Sequence, residues 1–274
     1  MSKRRQRQTS PDHDDLLADI VSIIETAGMN IILPAFQQSM VSDTKRDGSI
    51  VTETDTACQA FIKKRLAEMD ASVAFLGEEM DNSEQLLCLT QSDGRFWCLD
   101  PLDGTTNFVA GIPIFGTSLA LIESGLPVLA CIHDPIRGET FTARLNHGAH
   151  LNGARIRAST ETGLAFASGY IDFKRLSKQD KLSMLLPGLY RSQRNIGTCA
   201  LEWAWLAAGR GHFIVHGGEK IWDFAAGSLI ASEAGCMVGD FSALPLFPCK
   251  TLESPILAGC NEQIRKRLQA HLHA

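Results

Sequence analysis

The stretch Trp97-Cys98-Leu99-Asp100-Pro101-Leu102-Asp103-Gly104-Thr105-Thr106-Asn107-Phe108 places two carboxylates where an apolar run ends. Pro101 has no N–H for a sheet ladder, so the chain must turn just after Asp100. Gly104 can take backbone angles closed to other residues, and Thr105-Thr106-Asn107 has the character of a helix opening whose N–H groups could hold an anion. Carboxylates beside an anion hole repel phosphate unless cations lie between them. Hard oxygen ligands in this number suit Mg2+ better than zinc or copper. Taken alone, the segment is equally a polar turn in which Asp100 and Asp103 cap the backbone.

Two further acidic sites follow the same plan. In Ala74-Phe75-Leu76-Gly77-Glu78-Glu79 the acids come directly after an apolar run and a glycine, and a solvated loop is the plain alternative. In Ile221-Trp222-Asp223-Phe224-Ala225-Ala226-Gly227, Asp223 stands before a helical pattern, where Asp is a favoured N-cap and needs no metal to explain it. Together, three acidic groups at the ends of apolar elements are what a two-metal phosphatase requires, with ions about 3.5–4 Å apart clamping the attacking and leaving oxygens.

The elements that must carry these groups follow from periodicity. Leu16, Leu17, Ile20, Ile24, Ala27 and Ile31 mark one face of a helix from Asp14 that ends or kinks near Pro34. A second helix is expected over 55–69. Strands are expected over 73–76 and 96–99, then over 117–122, 128–133 and 139–143, with Ser124-Gly125-Leu126-Pro127 turning a hairpin. Beyond Gly153, strands over 165–170 and 212–215 interleave with helices over 200–208 and 224–234. The pattern is α+β passing into α/β, divided near residue 150 into an N-terminal α+β part (14–150) and a C-terminal α/β part (151–274).

With 274 residues, 45% of them hydrophobic and 21% charged, the chain has globular composition and length for a sizeable core. A net charge of −5 supplies no bulk attraction to nucleic acid or anionic membrane, so an anionic ligand needs a local site. Eight cysteines lie singly, without CxxC pairs or the short cysteine–histidine spacings of zinc sites, and are expected as reduced, mostly buried thiols. The basic start MSKRRQRQTSPDHDD lacks the apolar stretch of a signal peptide, and no run of 18 apolar residues occurs. Residues 1–13 are expected to form a mobile arm, and the protein to be cytoplasmic with no membrane partner.

The segments quoted above resemble, in order and spacing, the signatures of the inositol monophosphatase family. Val51-Thr52-Glu53-Thr54-Asp55 and Gly148-Ala149-His150-Leu151-Asn152-Gly153 are similar to two more, so the likeness spans roughly residues 14 to 270. The resemblance implies a layered α-β-α-β-α sandwich of the inositol monophosphatase/fructose-1,6-bisphosphatase type. It implies that Glu78, Asp100, Asp103, Asp223 and the Leu102 carbonyl hold two or three Mg2+ ions, with Asp100 bridging. Asp55 and Thr105, with Glu78, would serve the attacking water, and the N–H groups of Gly104 and Thr105 the phosphate. Asp103, Cys199, His216 and Asp223 would meet the substrate. Asp55 would otherwise be read as a helix cap. The reaction implied is direct attack of metal-activated water on a phosphate monoester, by a homodimer inhibited by lithium. No GxSxG elbow offers a competing nucleophile.

Within that resemblance, inositol monophosphate or a related sugar-alcohol phosphate is the expected substrate. The family usually carries an acid seven positions before the last metal aspartate; here His216 stands there, able to hydrogen-bond a hydroxyl without a fixed negative charge. Lys45 to Thr52 also looks partly like relatives acting on 3′-phosphoadenosine 5′-phosphate or histidinol phosphate, although Thr106 stands where the nucleotide phosphatases usually have lysine. An alternative of another class is a non-catalytic nucleic-acid- or protein-binding scaffold that uses Lys3-Arg4-Arg5-Gln6-Arg7.

Overall fold

The computed structural model describes residues 13–38, 42–44, 50–91 and 94–272, and the basic arm over 1–12 lies outside them. His13, expected in the arm, already opens α1 (His13–Ala27), which continues through a π turn at Gly28–Ile32 into α2 (Leu33–Phe36). The helical run therefore passes Pro34 by only two residues, ending near the proline as expected. By length and composition His13–Phe36 could cross a membrane. Its apolar face is instead committed to the core: Leu16, Ile20, Ile24, Ala27 and Ile32 are buried.

A ribbon of β1 (Ser42–Thr44) and β2 (Ile50–Thr52) leads into α3 (Glu53–Met69). Thr52, not Asp55, is the N-cap; Asp55 is the third helical residue, and its carboxylate closes a capping box back onto Thr52. Then come β3 (Ala74–Gly77), α4 (Asn82–Gln91), β4 (Phe96–Asp103), α5 (Thr105–Val109), β5 (Gly116–Glu123), β6 (Leu126–Asp134), β7 (Glu139–Arg144), β8 (Gly148–Leu151) and β9 (Ala154–Arg155). β3 to β9 form one seven-stranded sheet in sequence order, parallel only between β3 and β4. The sheet runs to Arg155, a few residues past the expected division near 150.

The remainder gives β10 (Ser168–Asp172), α6 (Lys178–Met184), β11 (Ser192–Arg194), α7 (Cys199–Ala207), β12 (Phe213–Lys220), α8 (Ile221–Glu233), β13 (Met237–Gly239), β14 (Glu253–Gly259) and α9 (Glu262–Gln269). Where a strand over 165–170 was expected, a 3-10 turn at Leu164–Phe166 precedes β10. The second sheet has the order β11-β10-β12-β14-β13.

Side-chain alternation along the first sheet sets the layers. Trp97, Leu99, Leu119, Leu121, Leu129 and Cys131 point to α1 and α3. Phe96, Cys98, Ala120, Ile122, Ala130 and Ile132 point the other way, onto α7 and α8. Those two helices also pack on β12 of the second sheet, and α9 packs on β14 beyond. The fold is thus a layered α-β-α-β-α sandwich, and α7 and α8 sit where the two sheets face each other. Their contact is tight enough that a Cβ on Gly227 would lie 2.4 Å from Trp203 Cβ.

Gly227→Ala should therefore destabilise the protein by about 1–3 kcal/mol through overpacking. Urea unfolding followed by circular dichroism should show a lower midpoint at an unchanged slope; an unaltered midpoint would mean the helix pair is looser than the geometry indicates.

Candidate active site

β4 carries its carboxylates to the edge of the central layer. Its pairing with β5 is regular to Asp100↔Ser118, shifts, and resumes at Asp103↔Gly116. Pro101 sits in the irregularity, where its carbonyl accepts from Thr117 Oγ1 at 2.9 Å and Cys58 Sγ at 3.4 Å. Asp100 Oδ1 accepts from the Leu102 N–H at 3.0 Å, which folds the turn around the carboxylate. Gly104 then takes φ 94°, and a Cβ there would lie 3.1 Å from the Ile114 carbonyl oxygen. A left-handed residue with no room for a side chain must be glycine.

From that turn α5 starts towards Asp55. Thr105 Oγ1 lies 2.9 Å from Asp55 Oδ1 and 3.0 Å from the Leu102 carbonyl oxygen, so one hydroxyl proton serves two acceptors. Asp55 Oδ2 accepts from the Thr52 N–H at 2.8 Å and from Thr52 Oγ1 at 2.5 Å. Burial raises the Asp55 pKa, and these Thr52 and Thr105 hydrogen bonds oppose the rise.

Asp223 arrives from the opposite half of the chain. It is the third residue of α8, not its N-cap, and its Oδ2 accepts from the Lys220 N–H at 3.0 Å. Asp103 Oδ2 accepts from Thr198 Oγ1 at 2.5 Å and from the Ala200 N–H at 2.6 Å, which joins β4 to the start of α7. Asp100, Asp103 and Asp223 each offer an oxygen within 4.8 Å of the others. Glu78 follows β3, and its N–H donates to the Leu99 carbonyl at 3.1 Å, continuing the β3–β4 ladder up to the cluster.

The electrostatics are those of crowded like charges. Burial, then Glu78, Asp103, Asp223 and Asp55, push the Asp100 pKa well up. Burial, then Asp103, Glu219 and Glu78, do the same to Asp223. Burial lifts Asp103 to about 6 against the pull of Thr198 and Ala200. An all-oxygen set with this much crowded negative charge fits a hard divalent cation, and Mg2+ meets that chemistry. The set around it would be Glu78, Asp100, Asp103, Asp223 and the Leu102 carbonyl.

A cavity of about 430 Å³ opens over this cluster and is also lined by Thr105, Cys199 and His216. All the expected site residues thus meet in one cleft or in direct contact with it, Asp55 through Thr105. His216 is a buried strand residue with both ring nitrogens engaged: Nε2 lies 3.0 Å from Asp172 Oδ2, and Nδ1 accepts from the Gly218 N–H at 3.1 Å. To reach a substrate hydroxyl it must give up one of them. Sequence reasoning missed Thr198, Glu202 and Asp172. Thr198 does carry a local signal, as the N-cap of α7. Glu202, whose Oε1 accepts from the Ile196 N–H at 3.0 Å, and Asp172, which meets His216 from another strand, carry no comparable signal.

A family model described as "Inositol monophosphatase family" matches residues 13–274. Nus factor SuhB of Escherichia coli (strain K12) is 34% identical over 221 residues, 78% of this chain and 80% of that protein. Fructose-1,6-bisphosphatase/inositol-1-monophosphatase of Thermotoga maritima is 37% identical over 199 residues, 70% of this chain and 72% of its own length. Among solved structures, the extragenic suppressor protein suhB from Bartonella henselae matches with a TM-score of 0.81 at 28% identity, over 94% of this chain and 98% of its own.

The charge crowding has a measurable sign. An Asp103 carboxyl near 6 in the fold, against 3.8 ordinarily, binds its proton where the unfolded chain has lost it, so its contribution to stability falls as pH rises through that window. In chelator, wild-type protein should lose stability relative to Asp103→Asn between about pH 4 and about pH 7. Saturating Mg2+ should abolish that relative loss. Parallel pH profiles for the two chelated proteins would contradict the burial-raised Asp103 carboxyl.

Proposed function

Because the chain belongs to the inositol monophosphatase family, we propose that it hydrolyses a small phosphate monoester with Mg2+, two or three ions held by Glu78, Asp100, Asp103, Asp223 and the Leu102 carbonyl. The observation that carries this is the convergence of Asp100, Asp103 and Asp223 within 4.8 Å at the floor of an open cavity. Bound Mg2+ supplies the charge that lets these carboxylates coexist, acidifies the attacking water and balances charge on the leaving oxygen. The chain's own groups do the rest. Thr105 Oγ1, donating to Asp55 Oδ1, can take a proton from the water as its own proton passes to Asp55, leaving the water oxygen aimed at phosphorus. The N–H groups of Gly104 and Thr105, at the start of α5, hold the phosphate oxygens. Thr198 and the Ala200 N–H keep Asp103 in place.

An inositol phosphate or related sugar-alcohol phosphate suits the cleft, whose lining includes Asp172 and His216, the latter able to meet a hydroxyl by releasing one of its two partners. Lys174, Arg175 and Lys220 line the same cavity. They favour a second anionic group on the substrate, and the Thermotoga relative is named for both a bisphosphate and a monophosphate. A panel of inositol 1-phosphate, fructose 1,6-bisphosphate, 3′-phosphoadenosine 5′-phosphate and histidinol phosphate separates these cases. Phosphate release from at least one should require Mg2+. Asp100→Asn should lower it by more than about 100-fold while circular dichroism shows an intact fold. Undiminished turnover in that variant would sink the metal assignment.

The name Nus factor, carried by the Escherichia coli relative, favours a second reading in which the chain also meets nucleic acid through its basic start. That reading demands affinity for nucleic acid that weakens steeply with salt and vanishes when residues 1–13 are removed. Salt-independent binding, or binding that survives the truncation, would count against it.

A further inference from the structure

Beside the aspartate cluster lies a group of different chemistry. Cys199, His216 and Glu219 each offer a ligand atom within 4.8 Å of the others. Their sequence separation hides them, since no short cysteine–histidine spacing joins them. His216 and Glu219 are three apart on β12, a spacing that would point them to opposite faces of a regular strand. The β12–β14 register breaks between exactly these two residues, at Gly217-Gly218. Gly217 has no space for a side chain, since a Cβ there would lie 2.1 Å from the Arg175 carbonyl oxygen. The bulge thus turns both side chains to the start of α7, where Cys199 stands.

We propose that Cys199, His216 and Glu219 form a second cation site, one that takes Zn2+ or a similarly thiophilic divalent ion. Glu219 is fully buried; Trp203 Nε1 donates to its Oε2 at 2.8 Å, and Oε1 has no hydrogen-bond partner. A buried carboxylate oxygen without a donor is costly unless something else meets it. Asp172 Oδ2, 3.0 Å from His216 Nε2, holds the ring as a carboxylate holds a metal-bound imidazole, with the proton on Nε2 and the lone pair on Nδ1. The cation takes that lone pair in place of the Gly218 N–H. One thiolate, one imidazole and one carboxylate make a three-ligand zinc set with the fourth position open to the cavity. On binding, the Cys199 S–H proton leaves to solvent as the sulfur–metal bond forms, so affinity rises with pH and weakens on acidification.

Cys199 and His216 also line the cavity over Asp100, so an ion here occupies its substrate end. Zn2+ should inhibit in competition with substrate and not with Mg2+. This consequence rests on the phosphatase reading, whereas the binding itself does not.

Co2+ titration of the full chain in excess Mg2+ tests the site without any assay of activity. A thiolate-to-Co2+ charge-transfer band should appear in the near ultraviolet and be displaced by Zn2+. It should vanish in Cys199→Ser, persist in Asp100→Asn, and need about 10–100-fold more Co2+ in Glu219→Gln, which keeps the thiol should the serine variant misfold. No band in the wild type would overturn the proposal. So would a band that survives Cys199→Ser, or an affinity indifferent to Glu219→Gln.

Discussion

Asp100, Asp103 and Asp223 bring carboxylate oxygens within 4.8 Å of one another, with Asp100 buried and the other two half-buried, so water screens them incompletely. Coulomb repulsion at that range, added to desolvation, is a standing cost that hydrogen bonds from Thr198, Ala200 and Lys220 only partly offset. A protein keeps such a cluster when a cation completes it. The same cation would let a phosphate dianion approach a surface that otherwise repels it. On that reading, metal binding, phosphate binding and part of the fold's stability are one electrostatic arrangement.

The architecture can be understood as the means of holding those charges together. Asp100 and Asp103 come from the irregular end of β4, where Pro101 breaks the ladder and Gly104 turns the chain into α5. Asp223 comes from the first turn of α8, which packs on the same sheet face and against α7 through the close approach at Gly227. The α7–α8 layer between the two sheets is thus what fixes the distance from Asp223 to Asp100. Thr198, capping α7, reaches Asp103 from the same layer. Displacement of either helix would separate ligands that lie more than 100 residues apart in the chain.

Legibility in the sequence followed how local each signal is. The end of β4 was plain because proline, glycine and two aspartates act on their own backbone. β3 to β7 were plain because their apolar runs sit between turn residues, whereas the short β8 and β9 have no such run. α4 was missed because Leu86 and Leu87 point outward and no apolar face repeats along it. The plain alternative for Asp55 and Asp223, a helix N-cap, fails because each is the third residue of its helix. Lys220, the true cap residue of α8, is not a capping type and leaves no mark. The engagement of His216 with Asp172, the burial of Glu219 against Trp203, and the turn of β12 that faces both inward are tertiary facts. Only Gly217-Gly218 could have hinted at the last.

The central claim is that the carboxylates of β4 and α8 share a hard cation. Crystals grown with Mn2+ as an anomalous stand-in for Mg2+ test it most directly. Anomalous density should appear within coordination distance of Asp100 and of at least one of Asp103, Asp223 and Glu78, and should be lost in Asp100→Asn. Well-ordered crystals with these carboxylates in place and no anomalous peak among them would contradict the account.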